Sequence, residues 1–195
     1  MKRIMSHNTW SYLPVRQWWL RPFAWIGRCQ DLNDAEQYYC SNVNGFDLRI
    51  RFDDCGTPHF CHGLLEYKGN VFATLTELNR LHWDRQDIPF TVRVLLETTP
   101  FMSTEERQEQ AQLFYFFCHR IESDFSYLIF WGGWPRDRWG QKIYEFRQQN
   151  LDIEEHHGSV SGNKLNCLWL KRWARKNNAA ALAGCKKDYC MIDFV

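Results

Sequence analysis

Hydrophobic residues in this chain follow two periods, one typical of strands and one typical of helices. Residues 46–52 alternate strictly: Phe46, Leu48, Ile50 and Phe52 are separated by charged side chains, which predicts a half-buried strand. Residues 90–96 are β-branched and apolar, which predicts a buried strand. Shorter extended or apolar runs predict further strands at residues 3–6, 59–62, 126–131, 151–155 and 189–195.

Helices are predicted between these strands. Two capping-box sequences, Asn33 with Glu36 and Ser103 with Glu106, mark the starts of helices that end near residues 43 and 121. Helical spacing predicts three more helices, at residues 71–85, 137–149 and 164–178.

The alternation of strands and helices predicts an α/β protein with a parallel sheet. Polar residues recur at strand ends, which favours a (β/α) barrel with its site at the C-terminal rim. The chain has 195 residues, fewer than the ~250 usual for such a barrel. We therefore expect one domain over residues 1–195, folded as a compact TIM barrel that is incomplete or distorted.

Composition excludes several classes of protein. A hydrophobic content of 45% indicates a globular chain, and a net charge of +1 gives no reason to expect a nucleic-acid partner. No nucleic-acid-binding module is evident, and the basic run at residues 171–176 is interpreted as a solvated helix face. The eight cysteines include no Cys-x-x-Cys pair and are interpreted as mostly reduced core residues.

The first residues carry charge but no apolar run follows them, so we expect a cytoplasmic protein without an export signal or transmembrane segment. An aromatic stretch at residues 10–25 contains Trp10, Trp18, Trp19 and Trp25. These indoles fit either a rim at a membrane interface or a core and pocket wall. The second interpretation is favoured.

Two histidines and an arginine stand at predicted strand ends. His7 follows the first strand and His62 follows a short extended segment, while Arg49 lies on the alternating strand. Histidine exchanges protons near neutral pH, and arginine presents a charged fork to phosphate oxygens. The combination suits cleavage of a phosphodiester.

These residues, in this order, carry a resemblance to a known family. Ser6–Trp10, Asp47-Leu48-Arg49 and His62-Gly63 resemble segments of the X-domain of phosphatidylinositol-specific phospholipase C, one of the barrel phosphodiesterases. Val94–Glu97 and Met191–Phe194 resemble two later strands of that family. The resemblance covers residues 3–100 and returns at the end of the chain; between 100 and 188 it rests on pattern alone.

The resemblance implies attack by a neighbouring hydroxyl on phosphorus, which leaves a cyclic phosphate. It makes His7 the general base, oriented by Asp193, and His62 the general acid. It makes Arg49 the stabiliser of developing negative charge. The remaining assignments are Asn8 as a hydrogen-bond donor, Asp47 as the partner of Arg49 or a histidine, and Glu97 and Trp10 as substrate-binding residues. The expected substrate is a phosphatidylinositol-like lipid, met at a membrane surface.

The pattern mixes two branches of the family. Asn8, Asp47 and Glu97 resemble oxygen ligands of the calcium-dependent branch, whereas Arg49 resembles the residue that replaces the metal in the bacterial branch. We favour metal independence and no cofactor, with calcium as the alternative. Two other functions stay open: a phosphodiesterase for a soluble substrate such as a glycerophosphodiester, RNA or signalling nucleotide, and an inactive binding protein on the same barrel.

Overall fold

The computed structural model describes residues 3–84, 90–132, 152–156 and 169–195. The strands are β1 Arg3–Ser6, β2 Val43–Phe52, β3 Pro58–His62, β4 Leu65–Glu66, β5 Phe90–Leu96, β6 Leu128–Gly132, β7 Ile153–His156 and β8 Tyr189–Ile192. The α-helices are α1 Ala24–Gly27, α2 Asp34–Ser41, α3 Val71–Asp84, α4 Thr104–Asp124 and α5 Leu170–Gly184. Two 3₁₀ helices, Thr9–Tyr12 and Trp18–Phe23, lie in the aromatic stretch.

Six strands form one parallel sheet in the order β6-β5-β2-β1-β8-β7. β3 pairs antiparallel with the C-terminal half of β2, and β4 pairs antiparallel with β3. Among the described residues β6 and β7 stand at the two edges and do not pair, so the barrel is open. The predicted α/β barrel is confirmed, in its incomplete form.

The sheet curls, because side chains on strands that are not neighbours touch one another. The Tyr189 hydroxyl donates to Thr91 Oγ1 at 2.8 Å, although β2 and β1 separate their strands. Arg93 on β5 likewise lies 2.9 Å from Glu155 on β7. These contacts cross the concave side of the sheet, which is the interior of the barrel.

The two faces of β2 therefore have different surroundings. Its even-numbered residues 46–52 belong to the apolar core that also contains Leu75 and Leu78 of α3 and Phe114 and Phe117 of α4. Its odd-numbered residues face the barrel interior, where Asp47 is fully buried and Arg51 is 5% exposed. The prediction of a half-buried strand is thus wrong about the charged face, because other strands cover it.

Most predicted elements are present with small shifts at their ends. Both capping boxes form: Asn33 and Ser103 each accept from the backbone amide three residues later. α5 ends at Gly184 rather than residue 178, since the alanine-rich segment 179–183 favours helix. The helix predicted at residues 137–149 lies outside the described residues, as does the start of the one predicted at 164–178.

The seven described cysteines are all free; five are buried, as expected of core residues, whereas Cys40 and Cys55 are exposed. Within the described part of the chain, no helix combines the length and the apolar character needed to cross a membrane.

Candidate active site

His7 lies where β1 ends, at the C-terminal rim of the parallel strands. Its backbone amide donates to the carbonyl of Ile192 at 2.9 Å, which continues the pairing of β1 with β8 by one residue. The same pairing brings its ring to Asp193, with Nδ1 and Oδ1 2.7 Å apart. Both side chains are buried, at 2% and 0% exposure.

The partners of His7 define its proton arrangement. Arg49 Nη2 lies 2.8 Å from His7 Nε2, and a guanidinium nitrogen can only donate. Nε2 is therefore the acceptor, and Nδ1 carries the proton donated to Asp193. This is a neutral imidazole with its basic nitrogen directed toward Arg49, an arrangement that can accept a proton.

A tight turn after His7 is hydrogen-bonded to β2. Asn8 has a φ of 45°, a left-handed conformation that asparagine tolerates better than most residues. Its backbone amide donates to Asp47 Oδ2 at 3.0 Å, and the Asp47 amide donates to Thr9 Oγ1 at 2.8 Å. The turn and the strand thus hold each other through Asp47.

Arg49 lies between two carboxylates. Its Nε donates to Asp47 Oδ2 at 2.9 Å, and its Nη1 is 3.8 Å from Glu97 Oε2. Burial alone would lower the pKa of Arg49, but Asp47 and Glu97 outweigh it and raise that pKa. Burial alone would likewise raise the pKa of Asp47, yet Arg49 and Arg93 hold it well below its ordinary value. The pair therefore stays ionised throughout the physiological range.

His62 ends β3 and faces His7 across the rim. The two rings are 6.0 Å apart between centroids and nearly perpendicular, at 85°. His62 Nδ1 lies 2.9 Å from the carbonyl oxygen of Gly27, which can only accept, so Nδ1 carries a proton. The other ring nitrogen, Nε2, is the one left to exchange a proton with a ligand.

The turn that carries His62 is held by residues of the barrel interior. Glu97 Oε1 accepts from the Gly63 amide at 2.7 Å, and Arg51 Nη2 donates to the Gly63 carbonyl. Gly63 has a φ of 59°, which a residue with a Cβ adopts at a cost. Glu97 and Arg51 thereby connect the position of His62 to that of Arg49.

A pocket of about 420 Å³ opens beside the two histidines. Its wall is largely apolar, and besides His7, His62 and Gly63 it is lined by Leu20, Phe23, Ile26, Gly27, Cys29, Leu64, Leu65 and Leu170. An apolar pocket with a few convergent polar groups is typical of a small-molecule site.

Trp10 lies in the core, whereas the resemblance implies that it binds substrate. It is 1% exposed and stacks on Phe60 in the core, with centroids 5.2 Å apart, so the structure does not bring it to the pocket. Trp18, Trp19 and Trp25 are 73%, 58% and 54% exposed, which contradicts their interpretation as core residues. An aromatic sequence alone does not distinguish stacking in a core from exposure on a loop.

Sequence reasoning missed three residues that complete the site. Arg93 lies opposite Asp47 in the pairing of β2 with β5, with Nε 3.9 Å from Asp47 Oδ1, and pairs with Glu155 on β7. A charge within the otherwise apolar strand 90–96 was the available signal. Cys29 lies in an irregular segment with no local signal, and its Sγ is 3.8 Å from His62 Nδ1.

A further histidine, His156, ends β7. His156 interacts with Glu154 at 2.8 Å and is partly exposed. His157 and Gly158, which follow it in the sequence, lie outside the described residues.

The residues proposed as calcium ligands do not fit such a site as they are arranged. Asp47 Oδ2 already accepts from Arg49 and from the Asn8 amide. The Arg49 guanidinium also lies within 3.8 Å of Glu97, so a cation shared by Asp47 and Glu97 would be placed against a fixed positive charge. Calcium binds six to eight oxygen ligands, which these groups do not offer while Arg49 is in place.

The described residues thus form an open, mostly parallel α/β barrel. Two histidines, an arginine and a buried carboxylate lie at the C-terminal ends of its strands, where active sites of such barrels are found. No family model matches the sequence, and no curated protein matches it. Among solved structures, the fold matches the phosphatidylinositol-specific phospholipase C of Staphylococcus aureus.

A mutant of that enzyme aligns with 98% of this chain and 84% of its own, at 10% identity and a TM-score of 0.59. A form containing pentafluoro-phenylalanine aligns with 98% and 85%, at 11% identity and a TM-score of 0.60. A third structure of the enzyme, which concerns the modulation of its membrane binding, aligns at 9% identity and a TM-score of 0.59. The likeness establishes that this chain has the phospholipase C fold.

Proposed function

We propose that this protein is a phosphodiesterase of the phospholipase C type, which cleaves a lipid phosphodiester and forms a cyclic phosphate. The observation that carries the proposal is the hydrogen-bonded series Asp193–His7–Arg49, with His62 across the pocket mouth. Two histidines with an arginine supply the base, the acid and the counter-charge that this reaction needs.

His7 is the general base in this mechanism. Arg49 donates a hydrogen bond to its Nε2 in the structure. A bound phosphate draws the guanidinium toward its oxygens, because a charge-assisted contact is stronger than one to a neutral imidazole. Nε2 then accepts the proton of the attacking hydroxyl, and the buried Asp193 stabilises the imidazolium that results.

His62 is the general acid. Its Nδ1–H stays on the Gly27 carbonyl, which orients the ring, and Nε2 gives its proton to the departing alcohol oxygen. Atoms balance because the proton gained by His7 equals the proton lost by His62. A water molecule that later opens the cyclic phosphate reverses both transfers.

Negative charge on the phosphate oxygens is met by Arg49 and Asn8. Asn8 is 3% exposed, and its Nδ2 has no hydrogen-bond partner among the described residues. A buried donor without a partner is costly, so a phosphate oxygen as its acceptor recovers that energy. Asp47 and Glu97 act as positioning residues that keep Arg49 charged and in place.

A lipid substrate is favoured by the surroundings of the pocket. Leu20 and Phe23 line it, and both belong to the 3₁₀ helix that also carries the exposed Trp18 and Trp19. Indole rings favour the membrane interface. The S. aureus structures of similar fold are of a phosphatidylinositol-specific enzyme whose membrane binding has been modulated. We therefore propose phosphatidylinositol, or a lipid like it, in a membrane surface.

The test is phosphorus NMR of the purified protein with phosphatidylinositol vesicles, with and without EDTA. We expect a cyclic inositol phosphate signal that survives EDTA, and its loss by about 10²- to 10⁴-fold in His7→Ala. His119→Ala is the matched control, because His119 is an exposed histidine on α4. Absence of signal from the parent with lipids and with soluble phosphodiesters alike would leave the binding-protein interpretation. Loss with EDTA and recovery with calcium would overturn metal independence.

A further inference from the structure

Among the described residues that line the pocket, Cys29 is the one titratable side chain that the proposed reaction does not use. It follows α1, is fully buried, and its Sγ forms part of the pocket wall beside His7 and His62. Its backbone is fixed, because its amide donates to Ser11 Oγ at 2.9 Å and its carbonyl accepts from Phe194 at 2.7 Å. The thiol is therefore held next to the two histidines.

Three donor atoms of different chemistry converge there. His7, Cys29 and Asp193 each present one potential ligand atom, and these atoms lie within 4.8 Å of one another. All three side chains are buried. Imidazole nitrogen, thiolate sulfur and carboxylate oxygen are the donors that tetrahedral zinc takes, at roughly 2.0–2.3 Å from the metal. An adjustment on the order of 1 Å brings the three atoms to those distances.

We propose that His7, Cys29 and Asp193 form a binding site for Zn²⁺, with a water molecule from the pocket as the fourth ligand. The thiol loses its proton to solvent on binding, and a thiolate–zinc bond forms. Zinc at His7 Nδ1 replaces the hydrogen bond to Asp193, the ring proton moves to Nε2, and Arg49, which can only donate, gives up its hydrogen bond to that nitrogen. One proton is released in total, and no oxidant or reductant is needed.

The position of Arg49 distinguishes this site from the calcium arrangement rejected above. Arg49 contacts Nε2 of His7, whereas the carboxylate of Asp193, the second proposed ligand, contacts Nδ1 on the other side of the ring. The imidazole ring therefore separates the guanidinium from the metal. A soft thiolate and a neutral imidazole also favour zinc over the hard cations, which prefer oxygen alone.

Zinc in this site would prevent the proposed reaction. With Nδ1 bound to the metal and Nε2 protonated, His7 has no lone pair with which to accept a proton. The inhibition rests on the proposed function, but the binding does not.

The first experiment measures binding with Co²⁺ as a spectroscopic probe of the full chain. We expect tetrahedral cobalt bands with a sulfur-to-cobalt charge-transfer band, displaced by one equivalent of Zn²⁺. Both Cys29→Ser and Cys29→Ala should lose the charge-transfer band, while Cys40→Ser, which removes an exposed thiol on α2, should keep it. Circular dichroism identifies any variant that has not folded, and the other Cys29 variant then carries the test.

Zinc affinity is measured by competition with a chromophoric chelator. Loss of the thiolate should weaken it by more than the roughly 10- to 100-fold that loss of an outer-shell partner costs. A charge-transfer band that persists in folded Cys29 variants would overturn the site, and so would its absence from the parent protein.

The activity measurement separates the two proposals. Each protein is compared with its own zinc-free rate on phosphatidylinositol vesicles, and zinc should inhibit the parent far more than Cys29→Ala. Thiolate-bound cobalt in a protein that turns over no phosphodiester would sustain the metal site and contradict the proposed function. Turnover that zinc leaves unchanged, despite bound metal, would overturn the inhibition.

Discussion

The two faces of β2 differ in polarity: one is apolar and the other is charged, although their residues alternate along the same strand. The face turned to the helices is apolar and needs no partners beyond close packing. The face turned to the barrel interior carries Asp47, Arg49 and Arg51, each paired with residues from other strands or loops. A buried charge is tolerated only when it is paired. The candidate site is therefore an extension of the charged interior, not a feature added to the barrel surface.

The largest expected effect comes from removing the carboxylate at the centre of that interior. Asp47→Ala leaves two guanidinium groups, Arg49 and Arg93, without their shared partner. We expect a loss of about 3–5 kcal/mol in the free energy of unfolding, measured by urea denaturation. Asp84→Ala, which removes an exposed partner of Arg80, is the control and should cost about 1 kcal/mol or less. Equal effects at both positions would contradict the comparison.

The other face is tested by Leu48→Ala. Leu48 is fully buried in the apolar core, so we expect a loss of about 2–5 kcal/mol in unfolding free energy. Because Leu48 belongs to the apolar core on the face of β2 opposite the charged interior, turnover per folded molecule should stay at the parent's value under strongly native conditions. A parallel fall in turnover at full folding would show that the two faces are not independent.

Packing around Gly45, near the N-terminal end of β2, gives a smaller effect. A Cβ at Gly45 would lie 2.8 Å from Met5 Cβ and 3.0 Å from a ring atom of Tyr189. Gly45→Ala should therefore destabilise by about 1–3 kcal/mol, read from a thermal melt. Gly184→Ala is the matched control, since a Cβ there meets nothing within 4 Å and alanine favours helix. Stabilisation at Gly45 would show that the interior is more loosely packed than described.

The acid stability of the fold gives the smallest change per step measured, at most about 1.4 kcal/mol for each pH unit, and its direction follows from the pKa of Asp47. The pKa of Asp47 is lowered in the folded state, so below its ordinary value near 4 the unfolded chain binds a proton that the native state does not. Stability from Asp47 is complete above that pH and falls as the pH drops further, by at most about 1.4 kcal/mol per pH unit. Asp47→Asn should flatten the dependence of unfolding free energy on pH between about 5 and 2. An unchanged slope would mean that other carboxylates account for the acid sensitivity.

Local sequence signals located elements well. The capping boxes at Asn33 and Ser103 depend on residues three positions apart, and both form. The alternation at 46–52 identified which residues share a face, because side-chain direction has a period of two in any strand. It did not reveal what covers each face. That depends on β5, β7 and β8, which the chain contributes 40 to 140 residues later.

The candidate site shows the same division. The sequence predicts seven site residues that the structure brings to one rim: His7, Asn8, Asp47, Arg49, His62, Glu97 and Asp193. Trp10 is also predicted to bind substrate, but it lies in the core. Cys29 and Glu155 had no local signal, because their positions beside His62 and Arg93 arise only when distant strands and loops meet.

The sequence alone predicts most of the described strands and helices in their order, the residues that share a strand face, and the residues with acid–base or phosphate chemistry. These follow from local periodicity and from side-chain type. The tertiary structure alone decided that the charged face of β2 is buried, that Arg49 lies between Asp47 and Glu97, and that a thiol lies beside the His7–Asp193 pair. Burial and charge pairing depend on how the sheet curls, and the curl results from contacts between residues that are far apart in the sequence.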